Sequence, residues 1–378
     1  MLREVTLGAM DELLDRAAIA RLRASVESVG SRREAAALAR AERAVQGLPL
    51  RRRVDLVRDA LLEDVPAGFP SASTVVQSLL EDSRFGGWMI WPTSEFLTTR
   101  ALESGTTADF DAAMELLSRL TVDLTGEFAV RSMLIARPER SLAVMQTWTA
   151  HESEHVRRLA TEGSRPYLPW AKRVPWLLTH PRATRGLLDA TYRDPSAFVR
   201  RSVANHLNDL SRVEPAVATT TAADWAVDAD ENAQWVIRHG LRTLVKAADP
   251  HALVLLGYTG DQLDVSEPSI SRSLIPWSGE LAFTAVVANR GDTEANVAID
   301  YSIGFQRADG SVRPKTFKLG SRRLAPGASV VVGKTHSFHP ITTRRYYPGA
   351  HHVTVQANGA ISPPAKFTLS EEFGEDHE

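Results

Sequence analysis

A mainly α chain that closes on a separate β-sandwich is the fold class predicted by this 378-residue sequence. Three observations predict it. Helical periodicity runs from the start to about Asp261, with apolar residues spaced three and four apart. After about Gln262 the text turns into short β-branched, alternating runs punctuated by turn dipeptides. Within the helical half a short motif repeats at intervals of roughly 40 residues, the period of stacked helix pairs.

The helical elements come first. "AAALARAERAVQGL", "RRRVDLVRDALLEDV", "DAAMELLSRL" and "ENAQWVIRHGLRTLVK" each carry one apolar stripe. The repeat is "HVRRLA", "FVRRSVA" and "WVIRHGL", aligned on Val156, Val199 and Val236, with "FAVRSML" a weaker copy. Such a repeat predicts a HEAT-like α-solenoid with one concave face. The Val of each copy is expected between helices, and the Arg beside it is not. Arg131, Arg157, Arg158, Arg200, Arg201 and Arg238 are therefore expected along one side. Two readings stay open: these Arg cover helix ends and neighbouring acids, or they meet a phosphate backbone.

The β elements follow. "LAFTAVVANRGD", "NVAIDYSIGFQRADG", "ASVVVGKTHSF" and "HHVTVQANG" belong to about seven strands in roughly 110 residues, which predicts an immunoglobulin-like β-sandwich. The expected domains are 1–261, helical, and 262–369, sandwich, with an acidic tail at 370–378.

Composition narrows the function classes. The net charge of −2 excludes a polycation, so affinity for a polyanion must come from local patches. One such patch lies between Tyr301 and Ala350, where nine Lys/Arg face a single acid, Asp309. The absence of cysteine excludes disulfides and Cys-ligated zinc. The charged start does not read as a secretory signal, and no run approaches the ~20 apolar residues of a membrane span. A soluble, cytoplasmic, monomeric protein without membrane contact is expected.

Three carboxylates stand out: Glu127 in "LTGEFAVR", Glu162 in "LATEGSRPYLPW" and Asp209 in "SVANHLNDLSR". Each lies close to a copy of the repeat, which can bring them to one wall. Each also has a plain structural reading. Glu127 suits a helix N-terminus, Glu162 a helix end before Gly163, and Asp209 a turn cap or a partner for Arg212. Trp170 follows "RPYLP", whose prolines stop a helix, and is expected on a loop. Trp148 and Trp176 read as core or secondary lining, and "FGGWMIWP" as either packing or cleft. The sequence has no phosphate-binding Gly loop, zinc helix or nucleophile elbow. His151 and His155 have i, i+4 spacing without an evident third ligand, so no metal site is assigned.

"LTGEFAVRSML", "TWTAHESEHVRRLATEGSRPYLPW" and "DPSAFVRRSVANHLNDLSR", matching in order, resemble the AlkC branch of the DNA alkylation-repair glycosylases, relatives of the AlkD-type HEAT-repeat enzymes. The resemblance covers the helical half, and the β-sandwich resembles the immunoglobulin-like module of some members. It implies a monofunctional glycosylase that acts on double-stranded DNA, removes cationic 3-methyladenine and 3-methylcytosine, and needs no cofactor. It further implies catalytic roles for Asp209, Glu162, Glu127 and Trp170. Asp209 is expected beside C1′, with the other acids positioning water or the nucleotide. Arg157, Arg158, Arg165, Arg200, Arg201 and Arg238, with Arg344 and Arg345 of the sandwich, are expected on DNA. The alternative is a noncatalytic HEAT-repeat scaffold that binds nucleic acid or protein. A carbohydrate-binding β-module is a weaker third reading, disfavoured by its excess of Arg and Lys.

Overall fold

The computed structural model describes residues 13–29, 34–260, 262–341 and 344–371. From residue 372 on, the expected acidic tail lies outside the described residues. The chain forms two compact units. One runs to Thr221 and includes Asp228–Gly240; the other takes Ala222–Val227 and everything from Leu241.

The helices are α1 (Arg16–Val29), α2 (Ala36–Ala44), α3 (Leu50–Asp64), α4 (Phe69–Glu81), α5 (Ile90–Ser104), α6 (Thr107–Leu120), α7 (Glu127–Ala136) and α8 (Pro138–Trp148). After them come α9 (Glu154–Glu162), α10 (Pro175–Thr179), α11 (Arg185–Thr191), α12 (Ala197–Val213), α13 (Pro215–Ala226), α14 (Glu231–Gly240), α15 (Arg242–Lys246) and α16 (Pro250–Leu255). In the first unit α9 packs on α12 and α12 on α14. Val156, Val199 and Val236 are fully buried in these contacts, as the repeat requires. Helix α5 is buried all round from Ile90 to Thr98, including the carboxylate of Glu95.

The strands are β1 (Leu263–Val265), β2 (Ser269–Ile270), β3 (Leu274–Ile275), β4 (Glu280–Asn289), β5 (Ala295–Gln306), β6 (Val312–Leu324), β7 (Ser329–Ser337), β8 (Gly349–Ala357), β9 (Ala360–Ile361) and β10 (Ala365–Leu369). One sheet has the order β1-β4-β2, with β7 also on β4; the other runs β3-β10-β8-β5-β6, with β9 on β8. Period-two alternation buries Leu281, Phe283, Ala285 and Val287 of β4 in a core with Ile299, Tyr301, Ile303, Val353 and Val355. The strands beyond the expected seven are two- or three-residue pieces, too short for alternation to register.

The expected boundary at residue 261 falls inside the second unit. Polar side chains of the sheet reach back to the segment before it. Gln356 donates to the carbonyl of Lys246 at 2.9 Å, Asn296 to Gly257 at 2.9 Å and Asn358 to Thr259 at 2.8 Å. These bonds carry no sequence pattern. No helix among the described residues is long and apolar enough to cross a membrane.

Gly163 ends α9 where that helix approaches α7. A Cβ there would stand 2.6 Å from Val130 Cγ1 and 2.9 Å from the Leu159 carbonyl oxygen. Both neighbours are held by packing, so overpacking is expected to cost about 1–3 kcal/mol. A Gly163→Ala variant should show this as a lower urea midpoint at unchanged slope.

Candidate active site

Glu162 is the last residue of α9, and three residues later the chain has turned far enough for Arg165 to reach back to it. Arg165 Nη1 donates to Glu162 Oε1 at 2.7 Å, and its Nε donates to Asp209 Oδ2 at 2.9 Å. The Tyr167 amide donates to the same Asp209 oxygen at 3.2 Å. The packing of α9 on α12 supplies Asp209. The Arg165, Glu162 and Asp209 side chains are 9%, 7% and 5% exposed, so water screens the network little. Burial opposes the Arg165 charge, but Asp209 and Glu162 outweigh it and raise its pKa.

A second guanidinium holds the loop that follows. Arg131, on α7, donates to the carbonyls of Gly163 and Arg165, both at 2.9 Å, and to that of Lys172. Its side chain is fully buried. This corrects its expected place in an exposed Arg row: its donors replace hydrogen bonds that the 163–172 loop lacks. Burial and the nearby charges of Arg173 and Arg165 lower its pKa to about 10, still cationic at neutral pH.

The pinned loop forms one rim of a cleft of about 470 Å³ lined by Glu127, Glu162, Arg165 and Trp170, among others. Glu127 is the first residue of α7 and forms no ion pair among the described residues. Burial and the charge of Glu162 raise its pKa, against the pull of Arg158 and Arg165. Trp170 sits on the loop at φ +59°, a left-handed conformation that costs an aromatic residue about 1–2 kcal/mol. Its indole is nonetheless 81% exposed. A strained backbone holding an apolar ring in solvent points to a task at the rim.

Both readings of "FGGWMIWP" hold: Phe85, Met89 and Ile90 are buried in the core, while Trp88 and Trp91 also line the cleft. Trp91 stacks on Phe128, with centroids 4.1 Å apart and planes at 16°. Its Nε1 donates to Glu95 Oε1 at 2.9 Å, and Arg51 forks onto both Glu95 oxygens at 2.6 and 2.9 Å. Sequence reasoning missed Phe128, Arg51 and Glu95. Phe128 adjoins Glu127 and was within reach; Arg51 and Glu95 meet only through packing of α3 on α5.

Asp209 does not line the cleft; it stands behind Arg165, bonded to it and to the Tyr167 amide, and not to Arg212. The expected Arg row divides. Arg157 forks onto Asp194 at 2.6 and 3.0 Å and also holds the carbonyls of His151 and Glu152. Arg200 holds those of Asp194 and Pro195. Arg158 lies 4.0 Å over the Phe198 ring, with Glu162 at 3.5 Å. Arg201 and Arg238 are exposed, without an ion pair among the described residues. Trp148 is core, whereas Trp176 is half-buried and stacks on His180. His151 Nδ1 accepts from the Ser153 amide and His155 meets Phe198 edge-on, so the two rings have separate roles.

In the second unit, a hollow of about 590 Å³ is lined by Arg307, Arg313, Lys315, Arg344, Arg345 and Asp309, with Phe305 and Tyr347. Arg344 lies 4.5 Å over Phe305 and Arg345 5.4 Å over Tyr347. Tyr346 is buried in the core.

Comparison with known proteins bears on both units. The model of the family "Uncharacterised protein YhaZ, C-terminal Ig-like domain" matches residues 264–371. The uncharacterized protein YhaZ of Bacillus subtilis (strain 168) is 31% identical over 323 residues, 85% of this chain and 88% of that protein. The chain belongs to the YhaZ family. It is also similar to the solved structure of the Pseudomonas fluorescens alkylpurine DNA glycosylase AlkC bound to DNA containing an abasic site analog. That match has a TM-score of 0.82 and 29% identity, and covers 96% of this chain and all of the other. The AlkC resemblance carried by the sequence thus extends to the fold, including the immunoglobulin-like unit.

In this YhaZ-family chain the cleft combines an acid without an ion pair, a second acid tied to a cation, and several aromatic faces. Such a site suits positive charge on a substrate. Behind it, His206 is fully buried, its Nδ1 paired with the Thr161 carbonyl at 2.9 Å and its Nε2 with Thr184 Oγ1 at 3.0 Å. Burial lowers its pKa to about 4 from an ordinary 6.5. The unfolded chain binds that proton first, so His206 supports the fold above pH 6.5 and loses this support as pH falls toward 4. Stability against pH should have a shallower slope in that window for His206→Gln. Arg165→Met, which leaves buried Asp209 without its cation and Glu162 with Arg158 alone, should lose about 3–5 kcal/mol in chemical denaturation at pH 7.

Proposed function

We propose that the chain is a DNA glycosylase of base excision repair that hydrolyses the N-glycosidic bond of cationic N-methylated bases. The substrate class is double-stranded DNA carrying 3-methyladenine or 3-methylcytosine, and the place of action is the nucleoid. One observation carries the reading: Glu127, an acid without an ion pair, shares an aromatic-walled cleft with Glu162 and the displayed indole of Trp170. The overall likeness to a DNA-bound alkylpurine glycosylase supports it.

The chemistry follows from charge. Methylation at a ring nitrogen makes the base a cation and a good leaving group. Departure of the base as a neutral molecule leaves oxocarbenium charge on the deoxyribose. Glu127, as carboxylate, stabilises that charge and orients a water toward C1′, accepting its proton as the C–O bond forms. Glu162 adds negative potential, while Arg165 prevents it from collapsing onto the sugar. Trp170, Trp91 and Phe128 offer ring faces to the cationic nucleotide. Asp209, whose Oδ2 accepts from Arg165 and from the Tyr167 amide and which lies outside the cleft lining, positions Arg165 and the loop. A cleft lining without lysine supports reading it as a monofunctional enzyme, with water and not an amine attacking C1′. The open cleft receives the sugar from the backbone side, without a tight pocket for an extruded base. Arg201 and Arg238, with Arg344 and Arg345 of the second unit, contact DNA phosphates.

The test is release of free 3-methyladenine and 3-methylcytosine from methylated duplex, resolved by product. Glu127→Gln should lower the single-turnover rate by about 100-fold or more. Asp209→Asn should lower it less and shift the unfolding midpoint more. Equal binding of damaged and undamaged DNA with no base released would favour the scaffold reading instead. The rate should rise with pH through an inflection above the ordinary Glu value of about 4.3, because Glu127 has a raised pKa. The same shift means that the folded chain binds this proton more tightly than the unfolded chain. Wild-type stability relative to Glu127→Gln should therefore fall as pH rises through that range.

A further inference from the structure

Two cations outside the cleft share one aromatic ring and have no carboxylate bonded to them among the described residues. The Arg173 guanidinium carbon lies 4.7 Å from the centroid of Tyr167, and that of Arg212 lies 4.3 Å from it. Both side chains are exposed, and neither forms an ion pair among the described residues. With each under 5 Å from a single centroid, the two charges are within about 9 Å of each other, inside a Debye length at ~0.1 M salt. The acids that face this loop, Glu162 and Asp209, are buried and bonded to Arg165. Asp209 is only three residues from Arg212 on α12 and still turns away from it.

The platform itself is fixed. The Tyr167 amide is bonded to Asp209, the carbonyls of Gly163, Arg165 and Lys172 are held by Arg131, and Arg173 Nη1 donates to the Pro166 carbonyl at 3.2 Å. Two like charges, Arg173 just after the ordered loop and Arg212 on α12, are therefore held close together, at a repulsive cost that an arriving anion removes. A guanidinium lying over a ring retains N–H donors for phosphate oxygens, and Arg173 keeps those other than the Nη1 bond to Pro166. The same loop carries Trp170 at the cleft rim, two residues beyond Leu168, another lining residue.

We propose that Arg173 and Arg212, lying over Tyr167, form a clamp for the phosphodiester backbone of duplex DNA beside the nucleotide whose sugar enters the cleft. The inference rests on DNA being the ligand and does not require catalysis.

The test measures the affinity of the full chain for a duplex containing an abasic-site analogue, from about 50 to 200 mM salt, with each lost phosphate contact worth about 0.9 in the log–log slope. Arg173→Ala with Arg212→Ala should make the slope shallower by about 1.8 and weaken binding at every salt concentration. Tyr167→Phe, which keeps the ring, should retain the wild-type slope, and Tyr167→Leu should lose part of it. Arg119→Ala, an exposed cation on α6, serves as the control at the wild-type slope. A double variant with the wild-type slope overturns the clamp. Base release by the wild type, assayed alongside, separates the two ideas. If base is released and the slope does not respond, the clamp alone fails. If no base is released and the slope responds, the glycosylase reading fails and the clamp stands.

Discussion

Two acids and one guanidinium, buried together at the end of α9, form the constraint on which the first unit's cleft depends. Removing a carboxylate or a guanidinium from water costs several kcal/mol per ion, and the loss is recovered only where donors and acceptors meet at short range. Arg165 meets that condition with Glu162 at 2.7 Å and Asp209 at 2.9 Å. It does so only if the chain leaves α9 by a tight turn at Gly163. The loop path is therefore an electrostatic consequence as much as a steric one. Everything the loop displays, from Tyr167 to Trp170, inherits its position from that pairing.

Successive helices contribute to the same place. Helix α7 supplies Arg131 below the loop and Glu127 at the cleft, α9 supplies Glu162, and α12 supplies Asp209. Arginine suits both buried positions because its planar fork can satisfy several acceptors at once, where an ammonium would remain a compact, strongly hydrated charge. The result is a division of labour among like residues. Some guanidinium groups are used up inside the protein, as Arg131, Arg157 and Arg165 are. Others, such as Arg201, Arg173 and Arg212, keep their charge for the solvent side. In the second unit the excess of cations is likewise set on aromatic rings, with Arg344 over Phe305 and Arg345 over Tyr347.

Glu127 is the counterpart of these satisfied groups. It lies beside the network but outside it, and its raised pKa reflects a charge that burial and Glu162 make costly and no bonded cation relieves. A protein that pairs its other acids in this neighbourhood and leaves one without an ion pair, next to stacked aromatics, keeps local potential for a cationic guest.

The sequence alone determined the change from helical to alternating texture, the repeated Val positions and the loop placement of Trp170. Each is encoded locally: periods of 3.6 and 2 follow from backbone geometry, and a proline beyond the first turn breaks a helix. It also singled out Glu127, Glu162 and Asp209, through their nearness to the repeat and through family resemblance. Which Arg binds which acid was left to tertiary structure, because charge pairing depends on helix packing and on burial. So Arg131, alike in sequence to Arg157 and Arg200, became a fully buried loop clamp, and Asp209 turned to Arg165, 44 residues away, instead of to Arg212 three residues on. The aromatic wall of Trp91 and Phe128, the Glu95 strut behind it and the start of the second unit before residue 261 were decided in the same way. Contacts between distant segments leave no period in the chain, and only the folded packing selects among them.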